Sequence, residues 1–243
     1  MKKKKIHSGT RAFYTALSYL SPALNTRLLF LRKFGRLPEL QNPKTLNEKL
    51  LKLKLERFAM KWNFGCGYNI ICQDKAKLDI PETVKQLKKW GREPFWAYYS
   101  ELQYRNVEKK IIVEEYIGDG DGRLPEDYKF YCFNGKAYCC MVCQGREEGW
   151  PRFYFMDRDF QLLRINRDSR NAPEGFSLPK PRDIDAAYAV ADTLSQGFPF
   201  VRVDLYLTDR GVRFGEMTFT PAAALDNKRL PETDLMFGAM MEM

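Results

Sequence analysis

Alternating apolar and polar residues near the C-terminus predict a hairpin of two β-strands. In residues 201–207 the apolar side chains occupy every second position, so Arg202 and Asp204 share the opposite face. After a turn, a returning strand over residues 212–220 changes its apolar phase across Gly215, which indicates a glycine bulge. Beyond that shift the polar side chains point away from the apolar side. The predicted hairpin therefore collects three oxygen-bearing side chains, here called the donor set: Asp204, Glu216 and Thr218.

The donor set has two interpretations. Carboxylate and hydroxyl oxygens suit a hard cation such as Mg²⁺. A solvated sheet face explains the same alternation of apolar and polar residues, and for a two-stranded hairpin alone it is the favoured explanation. The rest of the chain has to decide between a metal site and an ordinary surface.

The remaining pattern predicts an α+β fold with antiparallel sheets and flanking helices. Asn134-Gly135 separates two strand-like runs and is a strong hairpin signal. Helices are predicted at residues 80–90, where Pro81 suits the first turn, and at residues 184–194. Several hairpins and few helices favour this fold class over a parallel doubly wound sheet. Further strands are predicted at residues 58–63, 69–72, 110–117, 129–133, 136–142, 153–156 and 162–165.

Charge divides the chain unevenly. Residues 1–55 contain 13 Lys or Arg against 2 Glu, whereas the other 188 residues contain 27 against 29 acidic residues. We therefore expect a basic helical segment over residues 1–55 and a separate domain over residues 56–243. A basic segment is typical of peripheral contact with an anionic membrane or polymer, and equally of a solubilising tail. No helix-turn-helix or aromatic-interleaved basic strand supports nucleic-acid binding.

The apolar runs and the cysteines indicate where in the cell the protein is expected. Residues 12–31 are interrupted by Ser, Pro, Asn and Arg, so they are too polar for a membrane span. The basic start is not followed by the compact apolar core of a signal peptide. We expect a cytoplasmic protein, with the inner face of the membrane as the alternative location. The 6 cysteines lack a zinc-binding spacing, so we interpret them as buried, reduced thiols.

Other candidate binding residues occur earlier in the chain. Lys61 precedes a turn with Gly65 and Gly67, and glycine N–H groups together with a lysine can hold phosphate. Glu114 and Ile117 lie at the end of a predicted strand, where backbone groups can bind an adenine. Each feature alone is better explained by structure than by binding, but their order along the chain is informative. A glycine-rich loop then leads to two more charged residues, Asp127 and Lys129.

That order resembles the TupA-like ATP-grasp family of polysaccharide-linked amide ligases. Residues 42–50, NPKTLNEKL, are similar to the family signature NPKTFNEKL, and residues 58–67 are similar to its phosphate loop. Further similar blocks follow in the family's order at residues 112–117, 127–135, 200–206 and 214–221. The resemblance extends from residue 42 nearly to the C-terminus, and it implies that the domain expected over residues 56–243 is an ATP-grasp-like, nucleotide-binding domain.

The resemblance implies a nucleotide site that uses ATP and Mg²⁺. Lys61 would contact the phosphates of ATP, and the backbone of Gly65 and Gly67 would close over them. Glu114 and Ile117 would frame the adenine, chiefly through their backbone groups. The donor set would hold Mg²⁺, with threonine where many ATP-grasp enzymes use asparagine.

The resemblance also implies a reaction. Asp127 would accept hydrogen bonds from the ribose hydroxyls, while the catalytic residues Lys129 and Arg202 would steady phosphate or an acyl-phosphate. ATP would activate a carboxylate as an acyl-phosphate, which an amine attacks to give an amide. The expected substrates are a carboxylated sugar or glycan and an amine such as an amino acid, in capsule-like or teichuronopeptide-like polysaccharide biosynthesis.

Two departures from the family pattern leave other functions open. The family has several dozen residues between its NEKL signature and the phosphate-loop strand, and this chain has almost none. The family's His-Gly-Ser-Gly turn is replaced by Phe64-Gly65-Cys66-Gly67. The alternatives are a phosphotransferase that moves the γ-phosphate to a sugar hydroxyl, and a catalytically inactive module that binds a glycan or a protein partner.

Overall fold

A computed structural model of the protein describes residues 39–40, 50–51, 53–98, 101–118, 126–145 and 148–241. These ranges leave out most of the predicted basic segment, and with it the predicted membrane contact. They also leave out the NPKTLNEKL signature except for Leu50. Glu39–Leu40 is a β-strand, which corrects the expectation of a helical segment at that point. Across the described ranges, no helix combines the length and the apolar character that a membrane span requires. The chain divides into two compact units between Leu124 and Pro125. The predicted domain boundary after residue 55 falls within the first unit and stays a prediction.

The first unit is built on a four-stranded antiparallel sheet. Its helices include α1 (Ile80–Arg92) and α2 (Phe95–Tyr98), with short 3-10 turns at Lys75–Lys77 and Leu102–Tyr104. Its strands are β1 (Glu39–Leu40), β2 (Phe58–Trp62), β3 (Asn69–Cys72) and β4 (Ile111–Glu115), in the sheet order β1-β4-β2-β3.

Helix α1 begins where the sequence predicts it. The Asp79 carboxylate caps the helix by accepting from the Glu82 N–H at 2.9 Å, and Pro81 lies in the first turn. The indole of Trp62 donates to the Leu87 carbonyl oxygen at 3.1 Å, which ties the helix to β2. The buried core of the unit joins the sheet to both helices: Leu50, Phe58, Met60, Trp62, Phe64, Cys72, Val84, Leu87, Phe95, Ile111 and Val113.

The second unit is built on a six-stranded sheet in which all neighbouring strands are antiparallel. Its strands are β5 (Asp127–Phe133), β6 (Lys136–Gln144), β7 (Arg152–Met156), β8 (Leu162–Leu163), β9 (Phe200–Thr208) and β10 (Gly211–Thr218), in the order β10-β9-β5-β6-β7-β8. The helices are α3 (Arg167–Arg170), α4 (Ile184–Leu194) and α5 (Pro231–Ala239), with a 3-10 turn at Pro221–Ala224.

Alternation along β5 assigns the two faces of this sheet to different helices. The ring of Phe130 contacts Tyr188 of α4 at 4.8 Å between centroids, and the ring of Tyr131 contacts Phe237 of α5 at 5.7 Å. Consecutive strand residues point to opposite faces, so α4 and α5 cover opposite sides. Asn134 and Gly135 have φ values of 48° and 81°, and positive φ at both positions is what a type I′ hairpin turn requires.

The predicted α+β fold with antiparallel sheets is confirmed, and the differences concern element ends. Strand β8 ends at Leu163 instead of residue 165, and β10 ends at Thr218 instead of residue 220. Pro221 follows shortly after β10, and proline lacks the N–H group that a strand ladder needs. None of the 6 cysteines forms a disulfide; five are buried, but Cys66 is exposed, which corrects that part of the prediction.

Candidate functional site

The hairpin of β9 and β10 places the donor set on one face. Glu216 lies opposite Asp204 and Thr218 lies opposite Arg202, and the register shifts between Phe214 and Glu216. The predicted bulge is therefore present. A Cβ atom on Gly215 would lie 2.9 Å from the carbonyl oxygen of Asp204, so only glycine lets the backbone approach this closely.

Strand β5 adds two charged residues to the same face. Lys129 lies directly opposite Asp204, and Asp127 precedes it by two residues on the same side of the strand. The Lys129 ammonium lies 2.6 Å from Oδ2 of Asp204 and also donates to the Asp127 carboxylate. Three neighbouring strands thus bring together the six residues here called the ionic cluster: Asp127, Lys129, Arg202, Asp204, Glu216 and Thr218.

Arg202 contacts every member of the donor set. Its Nε donates to Oδ1 of Asp204 at 2.7 Å, and its Nη2 donates to Oδ2 at 2.7 Å, which makes a bidentate pair. The same Nη2 lies 2.9 Å from Oε1 of Glu216 and 3.0 Å from Oγ1 of Thr218. The donor set is therefore held by a cationic side chain of its own face.

Burial and charge set the protonation of the central pair. Burial of Asp204 favours its neutral form, but Arg202 and Lys129 outweigh that effect and hold the pKa of the carboxyl below its usual value. Burial likewise disfavours the Lys129 cation, but Asp204 and Asp127 outweigh it and raise the pKa of the ammonium. Both groups are therefore charged near neutral pH, although their side chains are only 4% and 13% exposed.

Glu216 differs from Asp204 because the pKa of its carboxyl is raised. Desolvation by surrounding protein atoms is the first cause, and the negative charge of Asp204 is the second. The Glu216 side chain is 61% exposed, so solvent limits the effect of burial, while the charge of Asp204 on the neighbouring strand remains. A carboxylate beside another carboxylate is a group that an added cation would stabilise.

The chemistry of the donor set fits the Mg²⁺ that the resemblance implies. Among the described residues, no group of three or more His, Cys, Asp or Glu is arranged to hold a metal on its own. Mg²⁺ is commonly held by one or two carboxylates, with substrate phosphates and water as the other ligands. Asp204 and Glu216 supply those carboxylates on one face, so the set suits a metal that arrives with a nucleotide.

In the first unit, the structure pairs two of the predicted residues with each other. Lys61 on β2 and Glu114 on β4 lie diagonally across adjacent strands, and the Lys61 ammonium lies 2.5 Å from the Glu114 carboxylate. Their side chains are 32% and 41% exposed, so both remain accessible to solvent. The sequence assigned them separate roles, on phosphate and adenine, and did not predict the ion pair; those roles stay predictions.

The glycine turn after β2 is anchored by an aromatic side chain. Phe64 is 1% exposed and packs against Trp62 at 5.2 Å between ring centroids. A Cβ atom on Gly65 would lie 2.8 Å from the Phe95 ring, and Gly67 has a φ of +78°, so both glycines are needed for this turn. Their contact with phosphate stays a prediction.

Ile117 lies just beyond the end of β4 and is half-buried. The chain around it is fixed by Arg57, whose guanidinium stacks on the Tyr116 ring at 4.7 Å and donates to the Gly118 carbonyl oxygen at 3.3 Å. The role of Ile117 beside an adenine stays a prediction.

Two residues near the ionic cluster were not predicted from the sequence. Tyr131 lies opposite Arg202 and follows Lys129 by two positions, a strand period that could have revealed it. Arg229 lies over the Tyr131 ring at 5.8 Å and over Phe237 at 5.4 Å, and its buried Nε has no hydrogen-bond partner. Arg229 reaches this place from a distant loop, and no local pattern signals such a contact.

Comparison with known proteins identifies a family. The model of the TupA-like ATPgrasp family matches residues 34–242. No curated protein matches the chain.

Among solved structures, the ATP-grasp ligase PsnB complexed with minimal precursor, Mg and ADP is 10% identical, with a TM-score of 0.46 over 93% of this chain and 59% of that one. Phosphoribosylamine–glycine ligase from Thermotoga maritima is 17% identical, with a TM-score of 0.44 over 90% and 51%. D-Alanine–D-alanine ligase from Bacillus anthracis is 16% identical, with a TM-score of 0.40 over 92% and 63%. The chain thus spans less than two thirds of each of these ligases.

Proposed function

The chain belongs to the TupA-like ATPgrasp family, and on that premise we propose that it is an ATP-dependent carboxylate–amine ligase of cell-surface polysaccharide biosynthesis. A carboxylate oxygen of a sugar or glycan attacks the γ-phosphorus of ATP, and ADP leaves, so that an acyl-phosphate forms. An amine such as an amino acid then attacks the acyl carbon. Phosphate leaves, the nitrogen loses a proton, and an amide bond is formed.

The observation that carries this proposal is the ionic cluster of the second unit. Both reaction steps depend on neutralising phosphate charge and aligning reactants, and neither needs a covalent protein nucleophile. Lys129 and Arg202 are partly buried cations that are charged near neutral pH, which suits contact with phosphate oxygens. Asp204 and Glu216 suit the metal, which would neutralise the phosphates when bound with ATP.

Calorimetric titration of Mg·ATP into the wild type and an Asp204→Ala, Glu216→Ala double variant tests the nucleotide site. We expect metal-dependent binding in the wild type that is lost in the double variant. Asp209→Ala is the matched control, because Asp209 is an exposed carboxylate in the turn of the same hairpin. Unchanged binding by the double variant would show that the metal assignment is wrong.

Product analysis then tests the reaction class. A ligase releases both ADP and phosphate when Mg·ATP, a uronic acid and an amino acid are present together. A sugar phosphotransferase would release ADP and leave a stable phosphosugar without free phosphate.

The catalytically inactive binding module is the second candidate, and one observation favours it. The family's histidine position in the phosphate loop is occupied by Phe64, whose side chain is buried in the core of the first unit. A histidine there could face a ligand, whereas this phenylalanine faces the protein. Binding of a glycan without consumption of Mg·ATP would support this candidate.

A further inference from the structure

The Nη2 nitrogen of Arg202 has more acceptors around it than its two hydrogens can satisfy. This nitrogen carries two N–H groups but lies within 3.0 Å of three acceptors, on Asp204, Glu216 and Thr218. The two bonds to Asp204 are the shortest and form the bidentate pair. One Nη2 N–H is used by Asp204, so Glu216 and Thr218 share the other. These two shared contacts are the ones that a competing cation can replace most easily.

The same two residues are candidate metal ligands. Oε1 of Glu216 accepts from Arg202 and also from the Thr218 hydroxyl at 3.1 Å. The Arg202 side chain is 12% exposed, whereas that of Glu216 is 61% exposed, so the outer end of the cluster is open to solvent. A divalent cation could reach Glu216 from solvent, and it would meet the positive charge of Arg202 there.

We propose that Arg202 occupies the metal-binding oxygens of Glu216 and Thr218 until a divalent cation replaces it. The inference rests on the proposed function in one respect, namely that the donor set binds a metal. While Arg202 holds the set, Asp204 and Glu216 stay side by side despite their like charge. When the cation takes Glu216 and Thr218, Arg202 keeps its pair with Asp204, and an Nη2 N–H becomes available to a phosphate oxygen. The guanidinium thus makes metal binding without nucleotide unfavourable.

Binding of Mn²⁺ alone, followed by the electron paramagnetic resonance signal of the free ion, tests this proposal without nucleotide or substrate. Arg202→Gln removes the competing charge, and we expect the affinity for Mn²⁺ to rise about tenfold. Arg213→Gln is the matched control, because Arg213 is exposed on β10 opposite Tyr206 and not opposite a donor-set residue. We expect it to change the affinity much less. The double variant Arg202→Gln, Glu216→Gln should lose the gain.

Each contrary result overturns the proposal. If Arg202→Gln binds Mn²⁺ no more tightly than Arg213→Gln does, Arg202 does not compete with the metal. The same conclusion follows if no variant binds Mn²⁺. A gain that survives Glu216→Gln would place the new site elsewhere. If thermal unfolding shows that Arg202→Gln does not fold, Arg202→Lys keeps the charge but not the fork of donors, and a smaller gain is expected. If the variants bind Mn²⁺ as expected but the wild type shows no ligase activity, only the proposed function is rejected.

Discussion

The ionic cluster of the second unit and the Lys61–Glu114 pair of the first are built from the same residue types in different surroundings. Both join charged side chains across adjacent antiparallel strands. The Asp204 side chain is 4% exposed and is bound by two cations, whereas the Glu114 side chain is 41% exposed and is bound by one. Exposed ion pairs contribute little to stability, but a buried charge that loses its partner is strongly destabilising. Burial, more than charge, therefore separates the two regions.

The largest expected effect is that of Asp204→Ala. The change leaves Lys129 and Arg202 without their shared counter-ion inside the sheet, so we expect the free energy of unfolding to fall by about 3 kcal/mol. This is the low end for broken buried pairs, because Lys129 keeps Asp127 and Arg202 keeps Glu216. Urea unfolding followed by circular dichroism measures the change. Asp209→Ala, in the exposed turn of the same hairpin, should stay within about 0.5 kcal/mol of the wild type. Similar values for both variants would contradict the contrast drawn above.

The second effect tests the bulge that aligns the cluster. Gly215→Ala forces a Cβ atom to 2.9 Å from the Asp204 carbonyl oxygen, and backbone cannot move aside as a flexible side chain can. We expect a loss of about 1–3 kcal/mol in the free energy of unfolding, together with weaker binding of Mg·ATP. Gly238→Ala in α5 is the control, because its Cβ would meet no atom within 4 Å. Alanine is the better helix former, so that variant should be neutral or more stable by up to about 1 kcal/mol. Equal losses would show that the close contact at Gly215 is unimportant.

The sequence predicts the ionic cluster of the second unit better than the glycine turn and ion pair of the first, because the cluster depends more on local strand pattern. Period-two alternation places Arg202 and Asp204 on one face, and the phase change at Gly215 places Glu216 opposite Asp204, so local pattern defines the hairpin. The approach of Lys129 requires β5 to pair with β9 across 75 residues, and alternation within one strand does not reveal that neighbour. In the first unit, the glycine turn signals flexible backbone but not what packs on it. The burial of Phe64 depends on Trp62, Tyr68 and Phe95 meeting from separate elements.

The third effect concerns the exposed pair. Lys61→Gln and Glu114→Gln should each lower the free energy of unfolding by less than about 1 kcal/mol, because solvent screens the lost attraction. If Lys61 contacts the phosphates of ATP, Lys61→Gln weakens Mg·ATP binding in calorimetry while Glu114→Gln, which frees the lysine, does not. Lys85→Gln is a matched control, since Lys85 also pairs with an exposed carboxylate, that of Glu82 at 2.9 Å. Equal loss of nucleotide affinity in Lys61→Gln and Lys85→Gln would argue for general electrostatics and against a phosphate contact.

The smallest effect separates the two carboxylates within the ionic cluster. The pKa of Asp204 is lowered, so its contribution to stability is present above the usual aspartate range and is lost as pH falls through the lowered value. The pKa of Glu216 is raised, so its contribution is fully present below the usual glutamate value of 4.5 and is lost as pH rises through the raised value. Glu216→Gln removes only the second dependence. Relative to this variant, the wild type should therefore lose stability as pH rises from about 4 toward 7, by no more than about 0.5 kcal/mol because Glu216 is exposed.

Urea unfolding of the two proteins across that pH range, with chelator present to exclude metal, measures this difference. Parallel curves would mean that Glu216 does not sense the charge of Asp204. The two carboxylates would then be too weakly coupled to act as one cation site. In that case solvent would screen the charges at Glu216 as it screens those of the exposed Lys61–Glu114 pair. A difference with the opposite sign would mean that Arg202 stabilises ionised Glu216 more than Asp204 opposes it. In that case Arg202 would hold the outer end of the cluster more firmly than its shared hydrogen bonds indicate.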